Sequence, residues 1–262
     1  MMVRSLRVPG SVALSLLVAL AACGDGSTGP DASADGRTQV TLSAVSTQAL
    51  GGGSGAAAAA TIFEDGQGNT LELTRVALVI REIELERQFD ECEDDFSNNN
   101  CEEFEIGPFL LELPLDGSVI GIGDVDVPPG FYDELEFEVH KPSDDTPDDL
   151  AFLEAHPEFK DVSIWVEGVF NGGDPFTFLQ DLNEDQEIDL DPPLEVTAES
   201  PPLNLTLEFD VSVWFRDGSG ILVDPVSANK GGENEDLVEE NIKRSIELFE
   251  DDDRDGHRDD DD

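Results

Sequence analysis

From about residue 61 to residue 225 apolar and polar positions alternate with a period of two. The run LNLTLEFDVSVWF (203–215) is the longest. It puts Leu203, Leu205, Leu207, Phe209, Val211, Val213 and Phe215 on one face, and polar residues with Trp214 on the other. An amphipathic helix repeats its apolar positions every three or four residues, so this pattern predicts a half-buried strand. ELEFEVH (134–140) alternates Leu135, Phe137 and Val139 against Glu and His, and VSIWVEGVF (162–170) alternates Val162, Ile164 and Val166. LTRVALVIREIELER (73–87) carries Val76, Leu78 and Ile80, then changes phase to Ile83 and Leu85. A phase change within a long strand predicts a bulge or a bend.

The breaks between these runs, DGQGN, PPG, NGGDP and RDGSG, have turn composition. Strands are predicted near 71–87, 103–113, 118–126, 131–140, 161–170, 175–180, 193–198, 203–215 and 220–224. Apolar-in, polar-out strands joined by such turns predict an all-β fold, an antiparallel β-sandwich or a partly open barrel. DDTPDDLAFLEAHPEF (144–159) interrupts the strands with a short helix, and QVTLSAV (39–45) reads equally as a first strand or as linker. In ENEDLVEENIKRSIELFE (233–250), Val238, Ile242, Ile246 and Phe249 recur at spacings of four, four and three, which predicts a C-terminal helix leading into an acidic tail.

The front of the chain has a different character. Arg4 and Arg7 precede the apolar run SVALSLLVAL, a basic flank and hydrophobic region of signal-peptide proportions. That run is too short for a transmembrane helix, which needs about 20 residues. Leu20-Ala21-Ala22-Cys23 resembles the lipobox of bacterial lipoproteins. The resemblance implies that Cys23 is acylated and becomes the first mature residue, with Gly24 after it pointing to the outer membrane or cell surface rather than retention at the inner membrane. Each buried acyl CH₂ contributes about 0.8 kcal/mol to such anchoring. Residues 24–60 are mostly Gly, Ser, Ala and Asp, too poor in large apolar residues to offset ordering entropy. The expected organisation is a signal peptide (1–22), a tether (23–60), a β-domain (61–230), and a C-terminal helix with an acidic loop (231–262).

DVPPGFYDELEFEV (126–139) resembles the Pro-x-Gly-x-Tyr entry and following strand of a family of secreted prokaryotic lipoproteins whose domain has no assigned function. TRVALVIREIELER and LEFDVSVWF resemble its first long strand and a late strand, so the likeness covers roughly 60–225. It implies a β-sandwich with no known chemistry, and no catalytic residue is carried over from it.

Charge narrows the partners. Lys and Arg total 14 against 61 Asp and Glu, a net charge of −47 with acid spread along the chain beyond its first 24 residues. Nucleic acids and anionic membrane surfaces need a positive footprint, which this composition excludes. A surface rich in Asp and Glu with only four Lys resembles proteins of halophiles, where salt screens self-repulsion. Cys92 and Cys101 flank DDFSNNN within ECEDDFSNNNCEE. In an oxidising compartment a disulfide is the default reading, and closing this loop would contribute about 2.5–3 kcal/mol. A zinc site is the rival, without His or further Cys nearby to complete four ligands.

Signatures of nucleophile elbows, zincin helices, P-loops and dinucleotide folds are missing from the sequence. His140, His156 and His257 are isolated from one another, with His140 expected on the surface at a strand end and His156 in a loop before Pro157. Trp165 and Trp214 lie opposite their strands' main apolar stripes. They are either covered by packing or exposed as a carbohydrate-stacking patch.

The acidic tail reads in two ways, as a solvated run or as a calcium loop. EF-hand loops use positions 1, 3, 5, 7, 9 and 12, with Gly at 6. Asp251, Asp253, Asp255, His257 (through its carbonyl), Asp259 and Asp262 take those positions, with Gly256 at the sixth. Position 8 is Arg258 where an apolar residue is usual, position 12 is Asp rather than Glu, and the preceding segment is expected to be the entering helix. A second stretch, DLNEDQEIDLD, offers Asp181, Asn183, Asp185 and Asp189 at positions 1, 3, 5 and 9 of such a loop, against the alternative of an acidic hairpin loop. The sequence therefore predicts a lipid-anchored extracytoplasmic protein in a binding or structural role, with a glycan, protein or Ca²⁺ as ligand. An envelope polysaccharide hydrolase using paired carboxylates is the alternative.

Overall fold

In a computed structural model, residues 37–46, 60–88 and 107–258 are described. Cys23, Cys92, Cys101, Asp259 and Asp262 lie outside the described residues, as does the leader. The described strands are β1 (Thr38–Ser46), β2 (Thr61–Glu64), β3 (Thr70–Arg87), β4 (Phe109–Glu112), β5 (Ile120–Val127), β6 (Gly130–Val139), β7 (Ile164–Phe170), β8 (Pro175–Gln180), β9 (Glu184–Val196), β10 (Leu203–Phe209) and β11 (Ile246–Glu250). Two helices join them, α1 (Pro147–Ala155) and α2 (Glu235–Lys243).

The strands form two sheets. The smaller has the order β11-β10-β1-β5, and the larger runs β8-β7-β3-β6-β9 with β2 and β4 also paired to β3. One apolar core lies between them. Val40, Leu42, Ala44, Leu205, Leu207 and Phe209 enter it from the small sheet, and Leu73, Leu78, Ile80, Phe137, Ile164 and Phe178 from the large one. Each such side chain, fully buried, contributes about 1.5–3 kcal/mol. The fold is an all-β sandwich.

β3 organises the large sheet. It pairs with β7 along 71–78 and with β6 along 80–87. The phase change in its sequence is a register shift between Arg81 and Ile83, where Glu82 takes φ 53°. The extra residue returns Ile83 and Leu85 to the buried side. The opposite side of β3 at Ala77 and Val79 is covered by Phe152 of α1 and by Phe159 of the 3₁₀ turn that follows it. Thr146 caps α1, its hydroxyl accepting from the Asp149 N–H, and Pro147 opens the first turn.

Several expectations are corrected. Thr38–Ser46 is not tether but an inner strand of the small sheet, and it pairs parallel to β10, so the fold is not wholly antiparallel. The 203–215 run stays extended only to Phe209; Asp210 then accepts from the N–H and hydroxyl of Ser212 and turns the chain. At 220–224 a single bridge, Arg216 to Leu222, replaces the expected strand. The C-terminal helix is half its expected length. α2 buries Val238 and Ile242, and residues 246–250 instead pair antiparallel with β10. Two features turn the chain there: Ser245 donates its hydroxyl to the Ile242 carbonyl and accepts from the Trp214 indole N–H. Backbone pairing along β10 outweighs the helical spacing of Ile246 and Phe249.

Candidate metal centre

The C-terminal loop begins where β11 ends. Asp251 is fully buried there, its N–H bonded to the Asn204 carbonyl. Its carboxylate accepts from the Thr206 hydroxyl at 2.9 Å, the Asp255 N–H at 2.9 Å and the Gly256 N–H at 3.1 Å. Beneath it runs a buried polar chain. Ser43 donates to the side-chain oxygen of Asn204, whose amide donates in turn to Thr206 and to the Asp251 carbonyl. Asp253 accepts from the Asp255 N–H, and Asp255 from the His257 N–H. These bonds draw oxygens of Asp251, Asp253 and Asp255 to within 4.8 Å of one another.

Two basic side chains of the loop point elsewhere. Arg254, at φ 61°, donates to the Thr41 hydroxyl on β1. Arg258 lies 5.9 Å above the Phe249 ring and 3.7 Å from Glu247, which is how an arginine is accommodated at the eighth position. Among the described residues, Asp251, Asp253 and Asp255 have no ion pair. Three carboxylates at this spacing repel one another, and a divalent cation is the species that would relieve the repulsion. The segment entering the loop is strand β11, not a helix. The expected conflict between acid and a helix C-terminus is also gone, because α2 ends on Lys243 and Arg244. The His257 side chain is exposed.

The second candidate loop does not form. Asp181 lies 2.6 Å from the Lys230 ammonium and 3.4 Å from that of Lys141, and the bond to Lys230 leads the causes that hold its carboxyl below the usual range. Asn183 accepts the Lys141 N–H. Asp185 and Asp189 belong to β9, opposite Glu138 and Glu134 of β6. Pairing with β6 extends this stretch and spreads its carboxylates along a strand.

That same pairing creates an acidic face that the one-dimensional pattern does not reveal. Glu84 stands opposite Glu136 and Glu86 opposite Glu134 across β3 and β6; Glu136 and Glu134 then face Glu187 and Asp189 on β9. Like charges directly opposite destabilise a sheet. Partial burial, then the charges of Glu86, Glu187 and Asp189, raises the Glu134 carboxyl above its ordinary 4.5. Burial, then Asp185, Glu86 and Glu187, does the same at Glu136. The Glu at every second position in EIELER and ELEFE is the signal, but only register shows that the rows abut.

Trp165 and Trp214 do not share a patch. Trp214 is wholly buried. Trp165 lies 5.8 Å from Phe159 with the Arg75 guanidinium 5.3 Å above its ring, so both are covered by packing. His140, expected on the surface, is 5 % exposed and flanked by Glu138 and Asp149. His156 caps the C-terminus of α1, its ring against Phe152. No family model, no curated protein and no solved structure matches this chain.

Proposed function

We propose that the protein is a lipid-anchored, extracytoplasmic β-sandwich with a non-enzymatic binding or structural role, and that its C-terminal loop takes a calcium ion. The observation that carries the metal reading is the convergence of Asp251, Asp253 and Asp255 within 4.8 Å without an ion pair among the described residues. Asp251 supports it further. A carboxylate buried at the end of β11 and oriented by Thr206 is held in place before any ligand arrives, which lowers the ordering cost of binding. The bound ion would fasten the loop to β1 and β10, through Arg254 on Thr41 and Asp251 on Thr206. In this reading the ion stabilises rather than reacts. The anchor rests on Cys23 and the hydrophobic segment before it.

Thermal unfolding in calcium and in chelator, at matched ionic strength, tests the metal site. With an affinity in the extracellular range of about 10⁻⁴–10⁻³ M, 10 mM calcium stabilises by about 1.4–2.7 kcal/mol. That corresponds to a rise of about 3–11 °C in Tm for a domain of this size. Asp253→Asn together with Asp255→Asn is expected to abolish the rise, and the absence of any rise in the parent chain rejects the site. Mass spectrometry of the chain from its native host tests the anchor, which predicts an N-terminal acylated Cys23.

A further inference from the structure

His140 closes β6 against α1 in an arrangement that only one protonation state satisfies. Its Nε2 lies 2.7 Å from the Asp149 carboxylate on α1, and its Nδ1 lies 3.3 Å from the Glu138 carboxylate on β6. Both carboxylates are buried, Asp149 at 1 % and Glu138 at 4 % exposure. An ionised carboxylate only accepts hydrogen bonds, whereas neutral imidazole has one N–H and one lone pair. With both ring nitrogens facing carboxylates, the imidazolium satisfies both contacts. Arg81 on β3 takes the other oxygen of Glu138 at 2.7 Å and also meets Glu82 at 3.0 Å. The Ser143 N–H and hydroxyl fill the other oxygen of Asp149. Asp185 on β9 stands opposite Glu138 in register. The buried pair of anions is therefore matched by one arginine and one protonated histidine.

We propose that the His140 proton is a clamp, tying α1 to the large sheet while it is bound and releasing the helix when it is lost. Deprotonation leaves a buried carboxylate facing a lone pair. Glu138 keeps Arg81, but Asp149 keeps only the Ser143 donors and no cation in contact, and a buried charge left that way is among the costlier defects a fold can hold. Glu138 is fixed two residues away on the strand that leads into His140, whereas Asp149 is carried by α1, so parting the histidine from a carboxylate means moving α1. Its departure takes Phe152 away from Ala77 and Val79 on β3 and pulls on the adjoining 3₁₀ turn, whose Phe159 packs on Trp165 of β7.

The ring's acidity agrees with this geometry. Burial opposes the charge, but the bonds to Glu138 and Asp149 outweigh it and lift His140 above its ordinary 6.5. A raised basic group contributes stability that is complete below 6.5 and disappears as pH rises through the lifted value. Release therefore comes as pH is raised above 6.5, independent of the proposed calcium site.

A pH titration of the full chain by NMR, from pH 5 to 10.5, is the test. The His140 ring should titrate above 6.5, and the non-exchangeable ring signals of Phe152 and Trp165 should move with the same midpoint. Those of Trp214 and Phe209, in the central core, should stay fixed. Replacing His156 and His257 by Gln leaves His140 as the sole histidine and should preserve the transition. His140→Gln should remove it. A His140 ring that titrates at or below 6.5, or not at all by pH 10.5, overturns the clamp. So do Phe152 and Trp165 signals that never move, and a transition in which Trp214 and Phe209 move with them, since that is global unfolding.

Discussion

Gly256 meets two constraints at once. Its φ is +83°, and a Cβ built on it would lie 2.9 Å from a Val119 methyl and 3.3 Å from one of Val45. Gly256→Ala is therefore expected to lower stability by about 1–3 kcal/mol, read from the urea midpoint, in chelator as well as in calcium. Thr206→Val acts on the same loop from below. It keeps the shape of the side chain and removes one of the three donors to the buried Asp251 carboxylate, at a cost of about 1–3 kcal/mol. A Thr206→Val chain as stable as the parent in urea would mean that the polar chain beneath the loop does not hold it. Gly256 and the three aspartates stand out in the sequence because they fall within six residues at EF-hand spacing. Thr206 does not, since it lies 45 residues away and meets Asp251 only through the pairing of β10 with β11. The burial of His140 is hidden from the sequence for the same reason: its second carboxylate, Asp149, arrives on a helix that folds back over the sheet.

Strands were easier to read than the edges of the domain. The period-two runs of β3, β6, β7 and β8 predicted their elements, and the phase change in β3 predicted its bulge, because one face of each packs on the core. β1 was ambiguous for a physical reason. Its alternate residues Thr41, Ser43 and Val45 are buried as well, beside Asn204, Thr206 and the C-terminal loop, so it lacks a solvent face to mark it. Its position between β10 and β5 carries a sharp consequence. A chain beginning at residue 37 should fold with the cooperativity of the full chain. One beginning at residue 61, where composition suggests the domain starts, lacks an inner strand and leaves two β-edges unpaired. That shorter chain should show no cooperative melt by circular dichroism, and a melt equal to that of the longer one would show β1 to be dispensable. β11 carries a helical signature because Val238, Ile242, Ile246 and Phe249 keep helical spacing across the turn at Ser245, although the first two face the core from α2 and the others belong to a strand.

For the molecule as a whole, a net charge of −47 opposes compaction, and the rows of β3, β6 and β9 concentrate that opposition on one sheet face. Cross-strand neighbours sit about 5 Å apart. The Debye length is about 10 Å at 0.1 M salt and about 3 Å at 1 M, so Tm should climb between those concentrations with NaCl and KCl alike. The pH profile then separates surface repulsion from buried pairing. Glu134 and Glu136 have raised carboxyls, so the folded state binds protons more tightly there and stability rises as pH falls toward 4.5. Glu138 and Asp149 are lowered: burial alone would raise them, but hydrogen bonds from His140 and, at Asp149, from the Ser143 N–H prevail, with Arg81 adding to both. Their stabilisation is present above about 4 and is lost as pH falls below it. His140 favours the acid side of 6.5. These signs together place the maximum of Tm between about pH 4.5 and 6.5. At 1 M NaCl the part of the Glu134 and Glu136 gain that comes from neighbouring charges should shrink, because salt screens it, while the fall above pH 6.5 governed by the buried His140 persists. A profile that flattens on both sides in salt would mean that His140 is not paired as the structure shows.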